Sequence, residues 1–82
     1  MYSTEILGNG CGCRFDSSYS VSLEDSRCGS VEIRYPESIE EQMVHADFRR
    51  AGHTTLTLES PSGEKTLYDL IIELDRCTIT KK

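Results

Sequence analysis

The sequence predicts a small α+β domain in which an antiparallel sheet of four to five strands packs against one or two short helices. Residues 54–59 alternate apolar and polar side chains, a Ser-Pro-Ser-Gly turn follows, and an apolar strand returns over residues 65–75, a pattern typical of a β-hairpin. Ser38 followed by Glu41 has the form of a capping box, and Gly52 can close the helix that such a box begins. A chain of 82 residues allows one core, so residues 1–82 are expected to form a single domain.

The hairpin between Thr54 and Asp75 is the centre of the predicted fold. Leu56 and Leu58 alternate with threonines, which predicts a first strand with one buried face and one solvent-exposed face. The returning strand has apolar side chains on both faces, with Tyr68, Leu70, Ile72 and Leu74 on one and Leu67 and Ile71 on the other. A strand of this kind is expected in the middle of a sheet.

Three other segments alternate in the same way. Residues 18–24 and 31–35 predict two strands that could pair as a hairpin across a polar turn, and a proline ends the second strand. Residues 77–80 precede two lysines and predict a short edge strand, because lysines discourage pairing at an edge. Residues 1–7 fit either a strand or a helical turn.

Residues 38–50 allow two interpretations. As a helix, the segment has good start signals, but its apolar residues fall on two separate sides of the helical wheel. As a strand, it alternates Val44, Ala46 and Phe48 with polar side chains. The sequence supports the two interpretations about equally.

The charge balance restricts the function classes. The chain has 14 acidic and 9 basic residues and a net charge of −5, which argues against direct binding of nucleic acid and favours a basic or neutral partner. It has no apolar run long enough to span a membrane and no signal-peptide pattern, so we expect a cytoplasmic protein without a membrane partner.

The motifs of common enzymes are absent from the sequence. There is no nucleotide-binding glycine loop, nucleophile elbow or His-Glu-x-x-His pattern, and we expect neither catalysis nor a cofactor. His45 and His53, with Asp47 between them, are more typical of surface histidines than of an acid–base pair.

The four cysteines have three possible roles. Cys11, Cys13, Cys28 and Cys77 could be free thiols, zinc ligands or two disulfides. Free thiols are favoured, because the usual repeated zinc spacing is missing and no secretion signal accompanies the cysteines.

The candidate partner-binding residues are mostly acidic and cluster in the first half of the chain. They are Glu24, Asp25, Ser26, Glu37, Ser38, Ile39, Glu40 and Glu41, together with Leu56 and Leu58 as an apolar contact. The carboxylates could form only a solvated rim, or they could imitate the phosphates of nucleic acid and enter the basic groove of a partner. No catalytic or metal-binding residue is predicted.

Part of the chain resembles the phage-encoded inhibitors of uracil-DNA glycosylase, which are small acidic proteins that mimic DNA. The residues that carry the resemblance are Pro36-Glu37-Ser38, Val44-His45-Ala46-Asp47-Phe48, Leu56, Leu58, Ser60, Glu64, Tyr68 and Leu70-Ile71-Ile72-Glu73. The resemblance implies an inhibitor of a DNA-processing enzyme, with uracil-DNA glycosylase in the host cytoplasm as the partner. The family's acidic edge strand has a Glu-Ser-Ile signature, for which residues 24–26 or 37–39 would stand here, and its apolar pocket accepts an enzyme leucine.

A second and shorter resemblance is to the P-domain that follows subtilisin-like convertases. It is carried by Arg49-Arg50-Ala51-Gly52, Leu56, Leu58, Ser60-Pro61-Ser62-Gly63 and Thr66-Leu67. It implies a β-sandwich, although the chain is short for the family's jelly roll. The alternative functions are a structural or interaction module stabilised by its cysteines or by zinc, or a fragment-like P-domain β-sandwich.

Overall fold

The computed structural model describes residues 2–8, 14–16, 18–34 and 42–82. The strands are β1 (Tyr2–Leu7), β2 (Ser20–Leu23), β3 (Gly29–Arg34), β4 (Met43–Phe48), β5 (Gly52–Glu59), β6 (Lys65–Ile72) and β7 (Cys77–Lys81). They form a three-stranded sheet in the order β1-β4-β3 and a four-stranded sheet in the order β2-β5-β6-β7. Every pairing is antiparallel. Across these ranges no helix occurs, and therefore none that could cross a membrane.

The predicted α+β class is wrong, because the described residues form an all-β fold of two sheets. Each sheet has one apolar face, and the two faces bury each other in one core. The three-stranded sheet contributes Val44, Ala46 and Phe48 to that core, and the four-stranded sheet contributes residues such as Leu56 and Leu70. The apolar face of each sheet is thus covered by the other sheet and not by the helices that the sequence predicted.

The ambiguous segment contains a strand where the structure describes it. β4 is the middle strand of its sheet and buries its three alternating apolar residues, Val44, Ala46 and Phe48. A helix would point these three side chains to different sides. Because all three are buried on one face, the segment forms a strand. The helix-start residues Ser38 and Glu41 lie outside the described residues.

The predicted hairpin of β2 with β3 is also wrong, because the two strands belong to different sheets. β2 pairs with β5, and β3 pairs with β4. Gly29 begins β3 at a φ of +157°, and a Cβ added there would lie 2.1 Å from the carbonyl oxygen of Asp47. The backbones of β3 and β4 therefore meet too closely for any side chain at this position.

Two predictions for the second half of the chain are confirmed, but the returning strand ends at Ile72, and Leu74, which was predicted on its apolar face, is 77% exposed. β5 and β6 form the central hairpin, and its turn is closed by hydrogen bonds from the amide of Gly63 to the carbonyl of Ser60 and from the amide of Ser60 to the carbonyl of Glu64. β7 lies at the edge of the four-stranded sheet, as its lysines indicated.

Candidate functional site: the acidic face

The outer face of the three-stranded sheet carries a group of charged side chains that we call the acidic face. Its members are Glu5 on β1, His45 and Asp47 on β4, and Glu32 and Arg34 on β3. Side chains alternate between the two faces of a strand, so the inward packing of Val44, Ala46 and Phe48 turns their neighbours outward. The core thereby decides which residues share this face.

The strand register places Glu5, His45 and Glu32 in one row across the sheet. Glu5 and Glu32 both pair with His45, one from each side. Directly opposed side chains on one face are about 5 Å apart at Cβ, so the Cβ atoms of the two glutamates lie at about that distance from the Cβ atom of His45, one on each side. The His45 side chain is only 12% exposed. The acidic contact of the His45 ring is with Asp47, whose Oδ1 atom lies 3.6 Å from His45 Nε2.

Asp47 occupies the next row of the face, between two serines. Ser3 on β1 and Ser30 on β3 both pair with Asp47, and the Ser3 hydroxyl donates a hydrogen bond to Asp47 Oδ1. This hydrogen bond is the main cause that lowers the pKa of Asp47, and the nearby His45 lowers it further. Asp47 is therefore a carboxylate at neutral pH.

The single arginine of the acidic face is engaged with one of its carboxylates. Arg34 Nη2 lies 2.6 Å from Glu32 Oε1, and Arg34 Nε donates a hydrogen bond of 2.7 Å to the same oxygen. Both side chains are half exposed, so the pair contributes little to stability. Among the described residues, no lysine or arginine forms an ion pair with Glu5 or Asp47. The acidic face therefore keeps a net negative charge.

The predicted residues Glu24, Asp25 and Ser26 lie elsewhere, in the loop between β2 and β3. With Arg27, His53 and Thr54 they line an open cavity of about 600 Å³ at one end of the sandwich. The loop is fixed to β5, because the Glu24 amide donates to the carbonyl of Thr55 and the Asp25 amide donates to the hydroxyl of Thr54. The cavity is shallow and mixed in charge.

Asp25 is already used within its own loop. Its Oδ1 atom accepts hydrogen bonds from the backbone amide and the Nε atom of Arg27, both at 3.0 Å, and Arg27 Nη2 reaches Oδ2 at 3.3 Å. These contacts with Arg27 hold the pKa of Asp25 below its ordinary value. Since Arg27 neutralises Asp25, Glu24 is the carboxylate of this loop that is left for a partner.

Of the remaining predicted site residues, two lie in the core and five lie outside the described residues. Leu56 and Leu58 are 0% and 1% exposed, and both belong to the core cluster. They form no apolar pocket open to a partner. Glu37, Ser38, Ile39, Glu40 and Glu41 lie outside the described residues. Among the predicted residues that the structure describes, the loop residues 24–26 and the two buried leucines do not form one site.

The described cysteines are separate from each other. Cys28 is a buried free thiol in the core, and Cys77 is a half-buried free thiol on β7 whose pKa is raised by burial. Cys11 and Cys13 lie outside the described residues. Within the described ranges no three histidine, cysteine or acidic side chains are placed to hold a metal ion.

The outer face of the four-stranded sheet has a different composition, and we call it the threonine face. It presents Thr55, Thr57, Thr78 and Thr80, the apolar residues Leu67 and Ile71, and the charged group of His53, Asp69 and Lys82. Leu67 and Ile71 are 39% and 49% exposed. Asp69 Oδ1 lies 3.2 Å from Lys82 Nζ and 3.7 Å from His53 Nε2. The positive charge of Lys82 offsets the negative charge of Asp69, so this group has little net charge.

The two histidines thus lie on the outer faces of different sheets and do not form a pair. The fold and the acidic face define a small antiparallel β-sandwich with one negatively charged sheet surface. Comparison of the chain with protein-family models, with curated proteins and with solved structures gives no match.

The sequence interpretation did not include Glu5, Glu32 or Asp47 among the candidate partner-binding residues. Their outward positions follow from alternation, which the sequence does show. Their proximity follows from the strand order β1-β4-β3, which joins strands that are distant in the chain. A pattern within one strand contains no signal for that order.

Proposed function

We propose that the protein is a non-catalytic acidic binding domain whose acidic face occupies the basic, nucleic-acid-binding surface of a partner protein. The observation that carries the proposal is the group of three carboxylates, Glu5, Glu32 and Asp47, on the outer face of one sheet, of which Arg34 pairs with Glu32 alone and leaves a net negative charge. Carboxylates on a complementary surface steer a basic partner into contact and exclude wrong partners.

A β-sheet is a suitable support for such a surface. Residues two apart on a strand are separated by about 7 Å, and neighbouring strands by about 5 Å, so the carboxylates have defined spacings. Asp47 is ionised near neutral pH, as an ordinary aspartate is, and its lowered pKa extends that charge to more acidic solutions. A prepositioned charged surface loses less conformational entropy on binding than flexible side chains on a loop do.

The narrower proposal is that the partner is a DNA-processing enzyme, and that the protein inhibits it by acting as a DNA mimic. Uracil-DNA glycosylase is the first enzyme to test, because of the resemblance carried by the second half of the chain. The apolar contact that this resemblance implies has to come from residues other than Leu56 and Leu58, since both are buried. Charge on the acidic face is what supports the proposal.

The first experiment measures the protein's binding to lysine homopolymer at several salt concentrations. We expect Asp47→Asn to weaken binding severalfold and to reduce its salt dependence, because one ionic contact is removed. Asp69→Asn is the matched control, since it makes the same charge change on the threonine face. Equal losses for the two variants would show that net charge alone, and not the acidic face, is responsible.

The second experiment tests the narrower proposal. Uracil excision is measured with uracil-DNA glycosylase and an equimolar amount of the protein, and the mixture is then passed through a gel-filtration column. Inhibition and co-elution are the expected results, and both should weaken for Asp47→Asn but not for Asp69→Asn. Full excision without co-elution would exclude uracil-DNA glycosylase as the partner. The lysine-polymer measurement would then still test the broader proposal of an acidic binding domain.

A further inference from the structure

The acidic face contains one side chain of the type that changes its charge near neutral pH. This side chain is His45, since a histidine ordinarily gains or loses its proton between about pH 5 and 8, a range in which the other side-chain types of this face do not ordinarily titrate. His45 lies on β4, the middle strand of the three-stranded sheet, and its side chain is 12% exposed. The charge of the acidic face therefore depends on whether His45 holds a proton.

The charged groups that face His45 come from both neighbouring strands and from its own strand. β1 contributes Glu5, and β3 contributes Glu32, each of them paired with His45 across the sheet. β3 also contributes Arg34, which is bound to Glu32. On β4 itself, Asp47 Oδ1 lies 3.6 Å from His45 Nε2. Of these described groups, Asp47 is the one in ion-pair contact with the imidazole.

Protonation of His45 changes how many carboxylates of the face lack a cation. With a neutral imidazole, Glu5 and Asp47 have no cation beside them, and Glu32 has Arg34. With a protonated imidazole, the 3.6 Å contact becomes an ion pair, so Asp47 acquires a cation as Glu32 does. Three carboxylates and one guanidinium give the face a net charge of −2, and the imidazolium changes it to −1.

The geometry favours contact between the protonated ring and Asp47. Because the His45 ring is largely covered, water and salt screen its charge less than that of an exposed side chain. The Ser3 hydroxyl donates to the same Oδ1 atom of Asp47 and holds the carboxylate in place. His45 is also among the causes that lower the pKa of Asp47, which agrees with an attraction between the two charged forms.

We propose that His45 is a pH-sensitive switch of the acidic face, which binds a proton in weakly acidic solution, pairs with Asp47 and releases a basic partner. The inference rests on the proposed function, because it concerns the regulation of the same surface. A basic partner and a proton on His45 compete for Asp47, so each weakens the binding of the other by linkage. Binding of the partner near neutral pH should therefore expel a proton from His45.

The first test compares the binding of lysine homopolymer at about pH 8 and at about pH 5.5, the two sides of the ordinary histidine range. Wild-type protein should bind severalfold more weakly at the lower pH. The polymer does not cause this change, because lysine side chains stay charged at both pH values. His45→Gln removes the titrating group, so its affinities at the two pH values should differ much less. His53→Gln is the matched control on the threonine face and should keep the wild-type ratio of affinities.

The second test follows the ring protons of His45 by NMR in wild-type protein. Their chemical shifts should report a titration between about pH 5 and 8 in the protein alone. Addition of lysine homopolymer should move the midpoint to lower pH, because a positively charged partner disfavours the protonated ring. This measurement needs no variant, so it tests the switch even if circular dichroism shows that His45→Gln does not fold.

Either of two results would overturn the switch. One is an affinity for the polymer that is the same at both pH values, or that changes as much in His45→Gln as in the wild type. The other is a His45 ring that does not titrate between about pH 5 and 8, or whose midpoint is not moved by the polymer. Polymer binding at about pH 8 would leave the proposed function standing in both cases. Absence of binding at both pH values would overturn the proposed function and the switch with it.

Discussion

The acidic face and the threonine face are made by the same alternation of side chains, yet they carry different chemistry. The acidic face presents Glu5, Glu32 and Asp47 around His45, whereas the threonine face presents hydroxyl and aliphatic groups around a compensated ion cluster. Inward positions on both sheets are mostly apolar, because they share one core, and Thr54 is a buried polar residue among them. The core therefore restricts the inward residues and leaves the outward residues free to carry function.

The largest expected effect comes from the core that supports both faces. Leu56→Ala removes buried methyl groups at a fully enclosed position and should lower the free energy of unfolding by about 2–5 kcal/mol. Thr55→Ala, one residue earlier on the threonine face, should cost about 0.5 kcal/mol or less. Urea unfolding followed by circular dichroism measures both. Similar losses for the two variants would contradict the assignment of inward and outward faces on β5.

A second variant disturbs the pairing of β3 with β4, the two strands that carry most of the acidic face. A Cβ at Gly29 would overlap the carbonyl oxygen of Asp47, so Gly29→Ala must push β3 from β4 and should cost about 1–3 kcal/mol. It should also weaken lysine-polymer binding, because Glu32 moves with β3. Gly63 has a φ of +94° but no atom within 4 Å of an added Cβ, so Gly63→Ala is the control for backbone strain alone. Unfolding and polymer binding should both be affected less in this control.

The third prediction concerns the exposed aliphatic residues of the threonine face. Leu67→Thr should change the free energy of unfolding by no more than about 0.5 kcal/mol and leave lysine-polymer binding unchanged. Leu70→Thr makes the same substitution on the inward face of β6 and should cost more than about 2 kcal/mol. Thermal and urea unfolding of the pair give the comparison. A large loss from Leu67→Thr would mean that this face contributes to stability as the core does.

The smallest effect depends on pH and is limited to the acidic face. The folded-state pKa of Asp47 lies below its ordinary value of 3.8, so ionised Asp47 stabilises the fold above that pH, and the stabilisation is lost as the pH falls through the folded-state pKa. Ser3→Ala removes the main cause of the shift and should lower the urea midpoint slightly at pH 7, with a difference that disappears in acid. Ser30→Ala, on the opposite side of Asp47, is the control. A difference for Ser3→Ala that persists unchanged in acid would contradict this origin.

Several elements were predictable because their signals are local. The central hairpin follows from the alternation around Leu56 and Leu58 and from the Ser-Pro-Ser-Gly turn, and β7 from its own alternation and its lysines. The site was not predictable in the same way. Asp25 looked available in the sequence, but a neighbour two residues away binds it, and the binding leucines proposed from a resemblance are needed by the core.

The sequence by itself determined the alternation of side chains in the central hairpin and in residues 18–24, 31–35 and 77–80, and with it the face that these side chains share. Only the tertiary structure decided the partners of those strands. Residues 43–48 had signals for both helix and strand, and burial against a second sheet favours the strand because it buries three apolar side chains at once. β2 and β3 are neighbours in the chain, but they join different sheets, since each apolar face needs another to cover it. The acidic face exists because strand order brings Glu5 and Glu32 to the two sides of His45, and strand order is a property of the packed molecule.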